Sequence, residues 1–417
     1  MRAFYRLGTG SMVVISVVLG ALVSGVSGCS SGGGTSGTGG SGGATGKGGA
    51  GGGNLTGTGG AGMSTDGGVD RYIPPVNPLC PSNGPIVQGS TPLPDGVEIV
   101  ATVGDSNSGI VNLRDMIVAG GYVYWTTETT IMRVPVTGGT PAKLLDRSSV
   151  NNVSIGWLQV DSNSNTLYFT EVGPDQVAKM PADGSGAPTT IAKRNSPWQL
   201  VLANGVVYFY DGAYGEIDRV PATGGTPTPM VLGVAPSDGM TVANGYLYFI
   251  NPRSNSFDVH LVRVPITATA PPADAGTTIP DGGSSSVPPP AEDVVVTDNY
   301  DTNGVVSDGT SLYWDQDNMV MKAPLGAHVT STALATLPDH SGDFGTSDTT
   351  YVGSVVVDSG MLYWSSELSC SDIVRAATDG SGQTPIVHQV AFPAYLAVDA
   401  THVYWLAANS QILRAPR

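Results

Sequence analysis

Carboxylates, an imidazole and aromatic rings gather in three stretches of this chain. One holds Asp298, Tyr300, Asp301 and Asn303; a second holds Asp339, His340, Asp343, Asp348 and Tyr351; a third holds Arg194, Asn195 and Trp198. Oxygen donors in such number suit a hard cation such as Ca²⁺, and a carboxylate beside an imidazole suits proton transfer. None of the three has the ordered ligand run of an EF-hand loop, and the same residue types fill polar turns. The sequence carries no Gly-rich phosphate loop, no G-x-S-x-G elbow, no H-E-x-x-H pair and no clustered zinc ligands, and its five histidines (His260, His328, His340, His388, His402) are scattered. It therefore predicts a site that binds rather than reacts. Trp198, Asp301, Asp339, His340 and Asp343 are the candidate ligand-binding residues, none is assigned to catalysis, and the expected cofactor is none, with Ca²⁺ as the one ion these donors would suit.

What must position these residues is a repeated unit. Seven tyrosine-aromatic pairs recur: Tyr124-Trp125, Tyr168-Phe169, Tyr208-Phe209, Tyr248-Phe249, Tyr313-Trp314, Tyr363-Trp364 and Tyr404-Trp405. Successive pairs lie about 40 to 50 residues apart, with one wider gap between the fourth and fifth, close to the ~40–45 residues of a four-stranded propeller blade. Each copy reads as a short apolar strand A, such as Met116-Ile117-Val118, then a turn such as Asn204-Gly205 or Asn244-Gly245, whose residues tolerate positive φ. The aromatic pair lies on strand B, where large side chains fill the wedge between neighbouring sheets. Strand C carries a basic residue near its end (Arg133, Lys179, Arg219, Arg263, Lys322, Arg375, Arg414), with proline two residues later in six copies and Ala377 in the other. Such regular placement implies solvated sheet faces or pairing between blades. A Gly-rich turn leads into strand D.

The seventh copy supplies A (Leu396 to Val398), B (Val403 to Leu406) and C (Ile412 to Ala415), and then the sequence ends without D. Before the first A strand lies an unassigned strand-like segment, Val97 to Val103. In a ring the first and last blades are neighbours, so this segment is expected to add the fourth strand to the last blade and latch the ring. Closure also removes the unprotected edges of an open array. The fold class is thus all-β, a seven-bladed β-propeller over residues 97–417 whose last blade is closed by an N-terminal strand. Tyr124-Trp125-Thr126-Thr127 and Tyr168-Phe169-Thr170-Glu171, with strand C and a Gly turn downstream, resemble the YWTD repeats of low-density-lipoprotein receptor propellers and the related bacterial propellers of the TolB and NHL type. The chain departs from that pattern in lacking the final aspartate in most copies, though Asp315 follows Trp314, and in having seven units where YWTD propellers have six. The resemblance implies the architecture.

Arg2 and Arg6 precede an apolar run from Met12 to about Val26, too short for a membrane span, and then Val26-Ser27-Gly28-Cys29. This resembles the lipobox of bacterial lipoproteins and implies a signal over residues 1–28 and lipidation at Cys29. Residues 29–70, almost wholly Gly, Ser, Thr and Ala after the cysteine, read as a disordered tether, and 71–96 as an irregular lead-in. A Pro-rich insertion at about 267–291 enlarges the fourth copy between strands C and D. Cys80 and Cys370 form either a disulfide or two free thiols in an oxidising compartment. A net charge of −16 argues against nucleic acid and against adhesion to anionic lipid, leaving the lipid as the sole membrane contact. The reading that results is an exported, lipid-anchored monomer at the outer membrane or cell surface. It binds a protein or glycan partner through the face carrying the D-to-A and B-to-C loops, without catalysis. The alternative is a propeller-type lyase or hydrolase, resembling streptogramin lyase in architecture, with an acid-base or metal site on that same face.

Overall fold

The computed structural model describes residues 93, 96–103, 113–236, 239–252, 259–270, 290–297, 302, 304–337, 352–366, 371–390, 393–407 and 411–417. They form seven four-stranded antiparallel sheets. A lone first strand, β1 (Glu98–Thr102), precedes blade 1, which holds β2 (Asp115–Ala119), β3 (Tyr122–Thr126), β4 (Thr130–Pro135) and β5 (Ala142–Asp146). Blade 2 holds β6 (Ser154–Asp161), β7 (Thr166–Val172), β8 (Gln176–Pro181) and β9 (Thr189–Lys193). Blade 3 follows with β10 (Pro197–Ala203), β11 (Val206–Asp211), β12 (Glu216–Pro221) and β13 (Thr228–Leu232). Blade 4 has β14 (Met240–Ala243), β15 (Tyr246–Pro252), β16 (Val259–Pro265) and β17 (Glu292–Thr297). Blade 5 has β18 (Val305–Ser307), β19 (Ser311–Gln316), β20 (Met319–Pro324) and β21 (Thr332–Thr336). Blade 6 has β22 (Val352–Asp358), β23 (Met361–Ser366), β24 (Ser371–Ala377) and β25 (Thr384–Val390). The last sheet has β26 (Ala394–Val398), β27 (His402–Ala407) and β28 (Gln411–Pro416), with β1 as its fourth member.

The expected latch is present. Strand β1 pairs antiparallel with β28, with Ile99 opposite Leu413 and Thr102 opposite Gln411. The innermost strands β2, β6, β10, β14, β18, β22 and β26 touch one another in turn, and β26 touches β2, so the ring closes. In blades 3, 4 and 6 the A-to-B turns take the form the sequence implies, at Asn204-Gly205, Asn244-Gly245 and Ser359-Gly360. Asn204 and Gly205 have φ of 52° and 73°, the pair of positive values that a tight hairpin with native strand twist requires.

Successive residues on a strand point to opposite faces, and this explains why the aromatics come in adjacent pairs. The tyrosine of each blade packs into the wedge shared with the following blade, and its aromatic neighbour packs into the wedge shared with the preceding one. Thus Tyr124 shares a cluster with Phe169, Tyr168 with Phe209, Tyr208 with Phe249, Tyr248 with Trp314, Tyr313 with Trp364, Tyr363 with Trp405, and Tyr404 with Trp125. The fourteen rings are all buried. Each contributes about 1.5–3 kcal/mol by leaving water.

Five of the seven strand-C basic residues pair between blades, whereas Arg263 grips Glu292 on the next strand of its own blade. Arg133 Nη1 donates to the Ala182 carbonyl at 2.9 Å, Lys179 Nζ to Ala222 at 2.8 Å, Lys322 Nζ to Thr378 at 2.8 Å, and Arg219 to Ile266. Each acceptor is the residue just after strand C in the next blade. Arg414 Nη1 makes the same contact across the closure, to Val136 of blade 1 at 2.6 Å, while its other guanidinium nitrogens pair with Glu98 on the latch strand. Replacing Arg414 with alanine should cost about 1–3 kcal/mol, because it strips a charged donor from that carbonyl. Replacing Glu98, whose side chain is 60% exposed, should change the urea midpoint far less. Equal losses would show that the surface ion pair, and not the carbonyl contact, holds the joint.

Candidate functional site

Strand β11 ends at Asp211, and after a short turn β12 begins at Glu216, directly opposite it in register. Two residues on, Asp218 returns to the same face of the sheet. The hairpin therefore stacks three carboxylates on one side, with one oxygen of each lying within 4.8 Å of the others, and all three residues are buried. Among the described residues no other group of three His, Cys, Asp or Glu side chains converges so closely. Arg194 reaches in from the turn between β9 and β10. Its Nε sits 2.7 Å from Asp218 Oδ2 and 3.6 Å from Glu216 Oε1, and its Nη2 sits 3.3 Å from Asp218 Oδ1. One cation thus faces three carboxylates.

Asp211 is left out of the pairing. Its Oδ1 accepts the Ala213 amide at 3.0 Å, but its Oδ2 is fully buried with no hydrogen-bond partner. An orphaned buried carboxylate oxygen is costly, and it marks a place where a partner belongs. Burial pushes Asp211 up to about 6. Burial, then the charge of Asp218, pushes Glu216 up to about 7. Asp218 is also raised, by burial, against the opposing pull of Arg194.

Blade 2 contains the same positions in a different chemical state. There Arg147 Nε and Nη2 grip Glu171 at 2.6 and 3.3 Å, and Gln176 donates to Glu171 while accepting from Thr190 at 2.6 Å. Glu171 and Gln176 are opposite one another just as Asp211 and Glu216 are, and Ala178 occupies the place of Asp218. Blade 2 is charge-balanced and saturated. In blade 3 the carboxylate opposite the hairpin is one methylene shorter, the amide has become an acid, and a third acid is added. The arginine turns to Asp218, and Asp211 is stranded.

Of the ligand-binding residues expected from sequence, the structure brings Trp198 to this place. It lies on β10, its Nε1 donates to Ser196 Oγ at 3.1 Å, and its ring crosses the Asp211–Glu216 turn so closely that a Cβ on Gly212 would stand 3.0 Å from Cδ1. Asp301, Asp339, His340 and Asp343 lie outside the described residues, as do Cys29, Cys80 and Cys370. His260 and His388 make local pairs, with Asp293 at 2.7 Å and Asp372 at 3.2 Å. Of the loop after the second blade, Arg194 reaches Asp218, Asn195 donates to Tyr214 and Trp198 lies beside the hairpin turn. The three acids of the following hairpin were missed, although the spacing of two between Glu216 and Asp218, set against Gln176 and Ala178 one repeat earlier, carried the signal.

No family model and no curated protein matches the chain. Solved structures resemble it in fold. Catalytically inactive virginiamycin B lyase from Staphylococcus aureus, crystallised with quinupristin, aligns at 13% identity and TM-score 0.55 over 77% of this chain and 99% of its own. A puromycin-hydrolyzing peptidase of Mycobacterium tuberculosis aligns at 12% identity and TM-score 0.51 over 74% of this chain and 53% of its own. The RRP9 WD40 repeats align at 9% identity and TM-score 0.56 over 78% of this chain and 98% of theirs. At such identities the likeness establishes the propeller and nothing finer.

The expectation of a purely binding, non-enzymatic module is corrected by the hairpin. Loop-borne recognition gives no reason to hold three carboxylates dry, raised above their usual range and short of partners, whereas acid-base or metal chemistry does. The raised values have a consequence for stability. Because the folded-state values of Asp211 and Glu216 exceed their ordinary 3.8 and 4.5, their protonated forms favour folding below about pH 4, and this is lost as pH rises through about 6 to 7. In chelator-treated protein, Asp211→Asn should therefore raise the melting midpoint by about 2 °C or more at pH 8 and have little effect at pH 4. A variant that is destabilised at pH 8 would mean that Asp211 already has its partner.

Proposed function

We propose that this chain is a propeller-type hydrolase or lyase whose reacting centre is built on Asp211, Glu216 and Asp218 and takes a hard divalent cation such as Ca²⁺. The observation that carries the reading is the unpartnered Oδ2 of Asp211 in a site with three acids and one arginine. An all-oxygen donor set favours Ca²⁺, Mg²⁺ or Mn²⁺ over softer metals. A cation there would polarise a carbonyl or a carbon–oxygen bond of a substrate. Glu216 is the most accessible of the three, with a side chain 12% exposed, and it is the group placed to accept or return a proton. Arg194 holds Asp218 in place and offsets one negative charge. The site lies on the face of the D-to-A and B-to-C loops, where the variable parts of the ring converge.

The wider setting rests on the sequence. We take the protein to be exported and held at the outer membrane or cell surface through Cys29 and the 29–70 tether, as a monomer of the TolB or NHL kind. Metabolic labelling with a radioactive fatty acid, lost in Cys29→Ser, tests that part independently.

The cation is tested by thermal melting of chelator-treated protein with CaCl₂, MgCl₂ and MnCl₂. At about a hundredfold excess over Kd, binding adds about 2.7 kcal/mol of stability, read as a clear upward shift. Asp211→Asn should abolish the shift. The triple change Asp211→Glu, Glu216→Gln, Asp218→Ala gives blade 3 the arrangement of blade 2, and it should melt at or above the parent and ignore all three ions. Among ester, lactone, peptide and glycan substrates at least one should be turned over, and only by the cation-loaded parent. A parent that neither responds to the ions nor turns over any substrate sinks the proposal.

A further inference from the structure

Near the hairpin of the acid cluster stand aromatic rings that pack against the wedge clusters on one side and are part-exposed on the other. Trp157 on β6 and Trp198 on β10 lie on adjacent inner strands, one position out of step with each other, each inside a slip of the A–B ladder. Their rings meet edge to face, with centroids 5.6 Å apart and planes at 82°. Unlike the fourteen wedge aromatics, both are only half-buried. Trp198 has its polar edge tied to Ser196, and it crosses the turn that carries Asp211 and Glu216.

At the tip of that same turn stands Tyr214, 51% exposed and the one aromatic among the exposed large hydrophobic residues described. It is held rather than loose, since its hydroxyl accepts Asn195 Nδ2 at 2.9 Å. An exposed ring on a hairpin tip adds nothing to the core, and fixing it costs side-chain freedom that ligand contact would repay. Trp198, Tyr214 and the Asn195 amide thus gather about the turn that joins Asp211 to Glu216, with Trp157 against Trp198.

This combination selects a ligand. A flat apolar ligand face can stack on tryptophan and tyrosine, while peripheral hydroxyls meet Asn195, the tyrosine hydroxyl and the oxygen-rich cluster. A cationic amine is disfavoured once Arg194 and a bound cation have balanced the three carboxylates. We infer that the Trp157–Trp198–Tyr214 wall is a saccharide-binding subsite that lays a pyranose ring against the acid cluster, so that the substrate class is a glycan. The inference rests on the cation-bearing centre proposed above.

The full chain, saturated with CaCl₂, is titrated calorimetrically with cellotetraose, chitotetraose and mannotetraose, with 3-phenylpropylamine as a cationic aromatic control. At least one saccharide should bind, and Trp198→Phe and Tyr214→Ser should each weaken it about three- to tenfold. Neither change should alter the Ca²⁺ titration of the sugar-free protein. Both variants are mild: the first keeps a ring, and the second lies at an exposed tip. Absence of saccharide binding, binding indifferent to both changes, or binding of the amine alone would overturn the inference. Failure of the centre itself is read separately, as no Ca²⁺ response in the sugar-free parent.

Discussion

Everything in this molecule depends on a wedge that one blade cannot fill alone. Adjacent residues of strand B point to opposite faces, so each blade offers a tyrosine forward and a tryptophan or phenylalanine backward, and both must be covered. A blade with a neighbour on only one side would leave a large ring in water. The arrangement has no natural end until the seventh tyrosine, Tyr404, meets the first tryptophan, Trp125. Arg133, Lys179, Arg219 and Lys322 on strand C follow the same direction, reaching forward to the turn of the next blade, and Arg414 completes the circuit at Val136.

That logic also explains what could be read from sequence. The aromatic pairs, the glycine turns and the basic residues repeat in register, so the architecture and the latch strand were legible from spacing. Individual pairings were less so. The sequence left the strand-C cations between solvated faces and pairing across blades, and only three-dimensional register shows that their acceptor is the residue after the next strand-C terminus. The acid cluster was illegible for a related reason. Asp211, Glu216 and Asp218 look like ordinary hairpin polarity, and their meaning emerges from the register that sets 211 against 216 and from comparison with the saturated version one blade earlier. Trp198 stood out in the sequence as a large ring among polar residues, and the structure places it on β10 beside the same hairpin.

Blades 2 and 3 together show how a structural contact becomes a chemical one. The geometry of the hairpin and the approach of the arginine are kept, and three side-chain changes convert a neutral, fully bonded triad into an electron-rich site lacking one partner. The surrounding sheet already holds these atoms rigidly, since the aromatic wedges on either side fix the strands. Preorganisation of this kind comes from the scaffold, and the site itself contributes little to it.

The last sheet has a consequence for biogenesis. It joins residues from the two extremes of the propeller, Glu98 and Arg414 being 316 positions apart. Blades 1 to 6 are each made from contiguous chain and can assemble from local hairpins in chain order. The seventh cannot. Until β26 to β28 arrive, β1 waits as a bare edge with Val100 and Ala101 uncovered, and blade 1 presents Trp125 to solvent. The unclosed ring is thus an open crescent with two sticky lips, vulnerable to pairing with a second copy until the last blade forms.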